Sequence, residues 1–248
     1  DPIRYGTAYY PDHWPESDWE RDLRLISDSG LSLVRFGEFS WSWFEPRQGE
    51  FDFSAYDRFM DLAYRCGLSV ILCTPTCNPP HWLFARYPDA RQLDQRGRPH
   101  LGHRHQACYN HPAAYELARR AVVTLAEHYR DHPALVGWQV DNELTAGESG
   151  SPAQVYDYHP QTIARYRHYL QQKYRSLDIL NEVWVNNFWG NRYSDWSEVE
   201  PPRIGENRNV SPGPWLDWSR FRDANVAAFG HQQIEWLRSV RRDFRIGT

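Results

Sequence analysis

The run Leu135-Val136-Gly137-Trp138-Gln139-Val140, with Asp141-Asn142-Glu143 directly behind it, decides how the chain is read. Six residues without a charge read as a buried strand of the kind a parallel sheet contains. The strand ends by presenting an amide and a carboxylic acid side by side. Asp and Asn also stop strands for a plainer reason, because their side chains bond their own backbone and open turns. In a parallel barrel, however, the C-terminal end of a strand is where the loops carry chemistry.

Working outward, strand-like and helix-like patterns alternate. Ile3 to Tyr9 is a β-rich opening, and Leu31 to Phe36 and Leu68 to Cys73 read as the second and third strands. Glu16 to Ser29 carries Trp19, Leu23 and Ile26 at helical spacing and stops at Gly30. Tyr56 to Cys66 places Tyr56, Phe59, Met60 and Ala63 on one face, with Gly67 behind it. Ala113 to Tyr129 does the same with Leu117, Ala121, Val122 and Leu125. Helices are also expected from about Pro160 to Tyr174 and from about Trp215 to Arg242. Between Thr74 and His111 lies a long segment rich in Pro, His and Arg, of a length that is usually functional.

Repeated alternation of strand and helix predicts an α/β protein with a parallel sheet. A doubly wound sheet would show a glycine-rich phosphate loop after an early strand, whereas Gly6 and Gly37 stand alone. Long polar or aromatic loops follow the strands and short turns follow the helices, which predicts a (β/α)8 TIM barrel. Only the first five or so β/α units are legible, and Arg245-Ile246-Gly247-Thr248 looks like the start of another strand. An open barrel would leave strand edges unpaired. The expectation is therefore that residues 1–248 are the N-terminal portion of a barrel domain, truncated near the start of the sixth strand.

Composition narrows the function classes. The formal net charge is −4, and Lys173 is the one lysine among 28 Lys and Arg. Acidic residues are interspersed with the basic ones and form no basic stripe, so nucleic-acid binding is excluded. No run of about eighteen apolar residues indicates a membrane span. Aromatic residues make up 15 % of the chain. Most should be core, and the rest suit a cleft in which a sugar stacks on a ring. Cys66, Cys73, Cys77 and Cys108 form no C-x-x-C pair. Reduced thiols and the absence of a signal-like opening predict a cytoplasmic protein.

Glycoside hydrolysis typically uses two carboxyl groups. Glu143 is the candidate acid, Trp138 and the aromatic loops are expected to wall it, and Asn142 can donate to a sugar hydroxyl. Four ordered motifs then resemble glycoside hydrolase family 42, the β-galactosidases. They are Tyr5-Gly6-Thr7-Ala8-Tyr9-Tyr10-Pro11-Asp12-His13-Trp14-Pro15-Glu16, Val34 to Pro46 continuing into Gly49-Glu50-Phe51-Asp52-Phe53, Thr74-Pro75-Thr76-Cys77-Asn78-Pro79-Pro80-His81-Trp82-Leu83, and Trp138 to Glu143.

The resemblance implies a retaining β-galactosidase in which Glu143 is the acid/base and Asn142 a galactose ligand. Arg104 matches the family's sugar-binding arginine, although His105-Gln106-Ala107 departs from the usual run beside it; a solvated loop charge is the other reading. Arg35 and Glu38 are expected to pair and line the pocket floor. The resemblance puts the nucleophile glutamate on a strand beyond Thr248, and Glu182, Glu198, Glu200 and Glu206 follow no convincing strand. Some relatives hold zinc through four cysteines, one at the place of Cys108. Leu144 to His159 contains no cysteine, so no metal is expected there, even from Cys108, Asp157 and His159 together. No cofactor is implied, and the partners are a β-galactoside and further copies of the chain, as a trimer by resemblance. Alternatives are a retaining glycosidase of other sugar specificity and a catalytically incompetent partial barrel that binds sugar or self-associates.

Overall fold

The computed structural model describes residues 3–102, 104–145, 157–205 and 211–248. They group into two compact units, one of Asp1–Asp89, Ala113–Leu144 and Gly230–Thr248, the other of Ala90–Pro112 and Thr145–Phe229.

The first unit carries the sheet. In chain order it holds β1 (Gly6–Ala8), α1 (Glu16–Asp28), β2 (Leu33–Phe36), the short α2 (Trp41–Phe44), α3 (Ser54–Arg65), β3 (Ser69–Cys73) and the short α4 (His81–Arg86). It continues with α5 (Pro112–Tyr129), β4 (Leu135–Gln139) and, at the far end of the sequence, β5 (Ile246–Gly247). All strand pairs are parallel, and order in the sheet equals order in the chain. A doubly wound sheet reverses its direction of growth at a switch point, and this one does not. The architecture is that of a (β/α)8 TIM barrel, with five strands among the described residues.

Burial follows from the period of two along each strand. Val34 and Phe36 on β2, and Val70 and Leu72 on β3, are fully buried. Phe36 meets Phe59 of α3 edge-on at 4.8 Å and Tyr56 at 5.1 Å, and Trp19 of α1 meets Phe59 at 5.5 Å. Each such buried side chain contributes roughly 1.5–3 kcal/mol. On the opposite face of the sheet Leu33, Ile71, Gly137 and Gln139 line a groove of about 470 Å³. The helical stripes read from the sequence are the buried ones: Tyr56, Phe59, Met60 and Ala63 on α3, and Leu117, Ala121, Val122 and Leu125 on α5.

The second unit contains α6 (Pro160–Tyr174), α7 (Leu177–Val183) and the part of α8 (Gly213–Val240) before Gly230. Its core is largely aromatic, with Tyr158, Tyr166, Trp184, Trp218 and Phe221 around Leu170 and Leu180. The buried Asp217 takes the Lys173 ammonium on one oxygen, and the Tyr174 hydroxyl at 2.6 Å and Trp184 Nε1 at 3.0 Å on the other. The single lysine thus ties α6 to α8. The Pro-rich run from Thr74 to His111 is more ordered than it reads. It contains α4, 3-10 turns at Pro75–Cys77 and Pro88–Ala90, and bridges Arg91–Ala107 and Leu93–Pro99. Among the described residues, no helix is long and apolar enough to cross a membrane.

Candidate active site

The loops that follow β1, β2, β3 and β4 bring polar side chains to the C-terminal ends of the strands. Arg35 is the last-but-one residue of β2, and its guanidinium donates to Glu38 Oε1 at 2.6 Å and to Gln139 Oε1 on β4 at 3.3 Å. Gly37 makes this possible. Its φ of +113° suits glycine alone, and a Cβ there would lie 3.3 Å from the Cys73 carbonyl. The chain therefore folds back and drops Glu38, which is wholly buried, beside Arg35. Tyr10, from the loop after β1, donates to the same Glu38 oxygen at 3.0 Å. Burial pushes the Tyr10 hydroxyl up, and the Glu38 charge pushes it further. Glu38 Oε2 has no hydrogen-bond partner among the described residues.

At the end of β4 the backbone turns left-handed twice, with φ of 56° at Asp141 and 50° at Glu143. Asp tolerates that region, whereas a glutamate in it is unusual and holds strain of about 1–3 kcal/mol. Asp141 is buried, Asn142 is half-buried and Glu143 is exposed. Every polar group of Asp141 is engaged. Its N–H donates to Thr74 Oγ1 at 2.7 Å, and its carbonyl accepts from Gln139 Nε2 at 2.9 Å. Carboxylate Oδ1 takes the Asn142 N–H at 2.8 Å, and Oδ2 takes the Thr76 hydroxyl and, at 3.4 Å, Gln233 Nε2. The Gln233 carbonyl oxygen accepts from Thr74 at 2.5 Å and lies 3.1 Å from the Thr76 hydroxyl, whose one proton it shares with Asp141. Thr74, Thr76 and Gln233 have no exposure.

Burial pushes the Asp141 carboxyl up to about 6, against the hydrogen bonds of Thr76, the Asn142 N–H and Gln233, which pull it down. The charge of Glu38 adds to the rise. A folded-state value above the ordinary aspartate value means that protonation favours the fold. That stabilisation is full below about pH 4 and is lost as pH rises through about 6, on the order of 3 kcal/mol in all. Asp141→Asn has no such titration. Its melting temperature relative to the unsubstituted protein is expected to rise between pH 4 and 7, and a gap independent of pH would contradict the burial described.

Trp138 does not wall Glu143, contrary to the expectation from sequence. Adjacent strand residues point to opposite faces. Gln139 reaches Arg35, and the Trp138 ring sits in the core against Phe244 at 5.7 Å. Arg104 belongs to the second unit, where it is half-buried on the loop leading to Cys108. Cys108 is buried with its Sγ 3.3 Å from Thr162 Oγ1, and Thr162 donates to Asp157 at 2.7 Å. Burial and then the Asp157 charge push the Cys108 thiol well up. His159 Nδ1 is occupied by the Gln161 N–H at the start of α6. Residues 146–156, read for further cysteines, lie outside the described residues.

Two of the other glutamates have structural partners. Glu198 closes a capping box with Asp195, Glu200 pairs with Arg167, and Glu182 is exposed on α7. Glu206 lies outside the described residues. Thr76 lies within the third family-like motif without being marked out in it, and Gln233 lies in none of the four. The one available signal for Gln233 is a polar residue one turn before Leu237, on the buried face of a helix.

The family model described as Beta-galactosidase, glycoside hydrolase family 42, matches residues 8–248. This chain belongs to glycoside hydrolase family 42. The beta-galactosidase BgaA of a Thermus species is 39% identical over 235 residues, which is 94% of this chain and 36% of that protein. The crystal structure of a beta-galactosidase from the psychrophilic Marinomonas ef1 superposes with a TM-score of 0.88 at 36% identity, covering 98% of this chain and 36% of that one. The catalytic domain of a beta-amylase from Paenibacillus polymyxa shares the fold alone, with a TM-score of 0.73 at 14% identity, covering 100% of this chain and 67% of that one. This family 42 chain thus spans about a third of the length of the beta-galactosidases it matches.

Proposed function

We propose that the protein is a retaining glycosidase that removes terminal β-D-galactosyl residues from β-galactosides, with residues 1–248 forming the acid/base portion of its catalytic barrel. Glu143 protonates the departing oxygen and then takes a proton from the incoming water. Asn142 donates to the sugar hydroxyl next to the reacting carbon, where a hydrogen bond that strengthens in the transition state accelerates the reaction. Arg104 takes a second sugar contact, a role that rests on the resemblance. The nucleophile is a glutamate contributed from outside these residues, about 5–5.5 Å from Glu143 as retention requires. The resemblance also makes the working form a homo-oligomer, a trimer. Four free cysteines suit the reducing cytoplasm.

One observation carries this reading. In a family 42 chain, Glu143 stands exposed beyond the C-terminal end of β4 on a left-handed turn whose first residue, Asp141, is fully engaged. A turn that served only to end the strand would need no such support.

A panel of nitrophenyl glycosides tests the sugar. The intact protein is expected to hydrolyse the β-galactoside at least about tenfold faster, in kcat/KM, than the β-glucoside, which differs from it in one hydroxyl, and than the α-arabinoside or β-mannoside. A faster glucoside would reassign the sugar. Turnover of none would favour a partial barrel that binds without catalysis.

A further inference from the structure

The hydrogen-bonded network beneath Glu143 has a layout that strand termination does not require. Asp141 is held from three sides within the first unit: Thr74 and Thr76 after β3, Gln139 on β4, and Gln233 on α8. The two residues that anchor its carboxylate are 65 and 92 positions away in the chain. In return Oδ1 fixes the Asn142 N–H and so sets the direction in which the next two residues leave. The turn is held behind as well. A Cβ on Gly230 would lie 2.8 Å from Leu144 Cδ2, so the glycine leaves a notch for the residue that follows Glu143. Gly230 and Gln233 are three apart on α8 and share a face. One helix thus grips the tripeptide at both ends, by a hydrogen bond to its first residue and a steric seat for the residue after its last.

We infer that Asp141 is the positioning residue of the acid/base, and that Thr76 and Gln233 are the means by which it is held. This rests on the reading of Glu143 as acid/base. The buried carboxylate holds the left-handed turn and thereby keeps the Glu143 carboxyl where it meets the departing oxygen. A displacement of about 1 Å at a reacting group can cost on the order of a hundredfold in rate. Asparagine can keep the Asn142 N–H bond through its own oxygen, and Thr76, by turning its proton to the Gln233 oxygen, can accept from the new amide. Alanine can do neither.

The test separates positioning from folding by leaving group, because dinitrophenolate departs without a proton and an alkoxide does not. In the intact protein, Asp141→Ala is expected to lower kcat/KM for an alkyl β-galactoside by about a hundredfold and for 2,4-dinitrophenyl β-galactoside by less than about threefold. Asp141→Asn is expected to restore the alkyl substrate to within about tenfold of the unsubstituted protein. Equal losses on both substrates, or no loss on either, would overturn the inference. If Asp141→Ala fails to fold, Thr76→Val decides, with the same discrimination expected at about tenfold and equal losses counting against. Glu143→Gln, measured beside them, distinguishes the two levels. Discrimination by Glu143→Gln but not by the Asp141 or Thr76 variants overturns the positioning role alone. Its absence in Glu143→Gln removes the acid/base reading and the inference with it.

Discussion

Glu143→Gln is expected to lower kcat/KM for an alkyl β-galactoside by a factor of about 10²–10⁴, the range that a positioned proton donor contributes. The amide keeps the shape of the side chain and carries no acidic proton, so the loss reports proton transfer. With 2,4-dinitrophenyl β-galactoside the first step needs no acid, and kcat/KM should stay within about threefold. The second step still needs a base. In Glu143→Ala it should become limiting, and azide, a nucleophile that needs no deprotonation, should accelerate it. The product would then be β-galactosyl azide, because attack on a covalent intermediate restores the starting configuration. Rates by spectrophotometry and product configuration by NMR check both halves. Survival of activity on the alkyl substrate would remove Glu143 from the mechanism, and an α-configured azide would remove retention.

A second large effect is expected far from any sugar, at Glu45. This carboxylate has no exposure and receives the Arg120 guanidinium from α5, the Gly49 N–H at 2.7 Å and Trp41 Nε1 at 2.7 Å. Its carbonyl takes Trp82 Nε1 at 2.9 Å. One residue thereby joins α2, α4 and α5 around the loop after β2. Glu45→Ala leaves the Gly49 N–H and Trp41 Nε1 without their acceptor and Arg120 without its partner. Breaking such a pair by removing one member costs about 3–5 kcal/mol. The Arg120 side chain is 31% exposed, so water takes over part of its charge and the lower end applies. For a cooperative unit of about 150–250 residues, about 3 kcal/mol corresponds to a fall in Tm of roughly 6–12 °C. Glu45→Gln keeps an acceptor and should fall by less. A Tm within about 2 °C of the unsubstituted protein for Glu45→Ala would show that the network adds little to stability.

Much of the fold was legible because long helices repeat their pattern. The 18 residues of α5 and the 12 of α3 give several turns of apolar spacing, and those stripes are the buried ones. The 6 residues of α4 and 7 of α7 hold fewer than two turns each, too little for a period to be visible. Of the aromatic residues whose abundance suits a cleft, Trp184 and Trp218 are core, buried among tyrosines. Trp138 illustrates a different limit. A run buried on both faces shows no alternation, so which side chain faces the helices and which the interior cannot be read from it.

The sequence by itself determined the order of strands and helices, the parallel sheet they imply, and the place of Asn142 and Glu143 at the end of a strand. All of these depend on residues near one another in the chain, where spacing and local turn chemistry act directly. Only the tertiary structure decided what holds the tripeptide. Thr76, Asp141 and Gln233 meet through contacts across 65 to 157 positions, and nothing in their local pattern announces a partner so far away. A hydrogen bond between buried groups depends on geometry that exists only once β3, β4 and α8 have packed. That is why Glu143 could be named from the sequence, and Asp141 understood only from the fold.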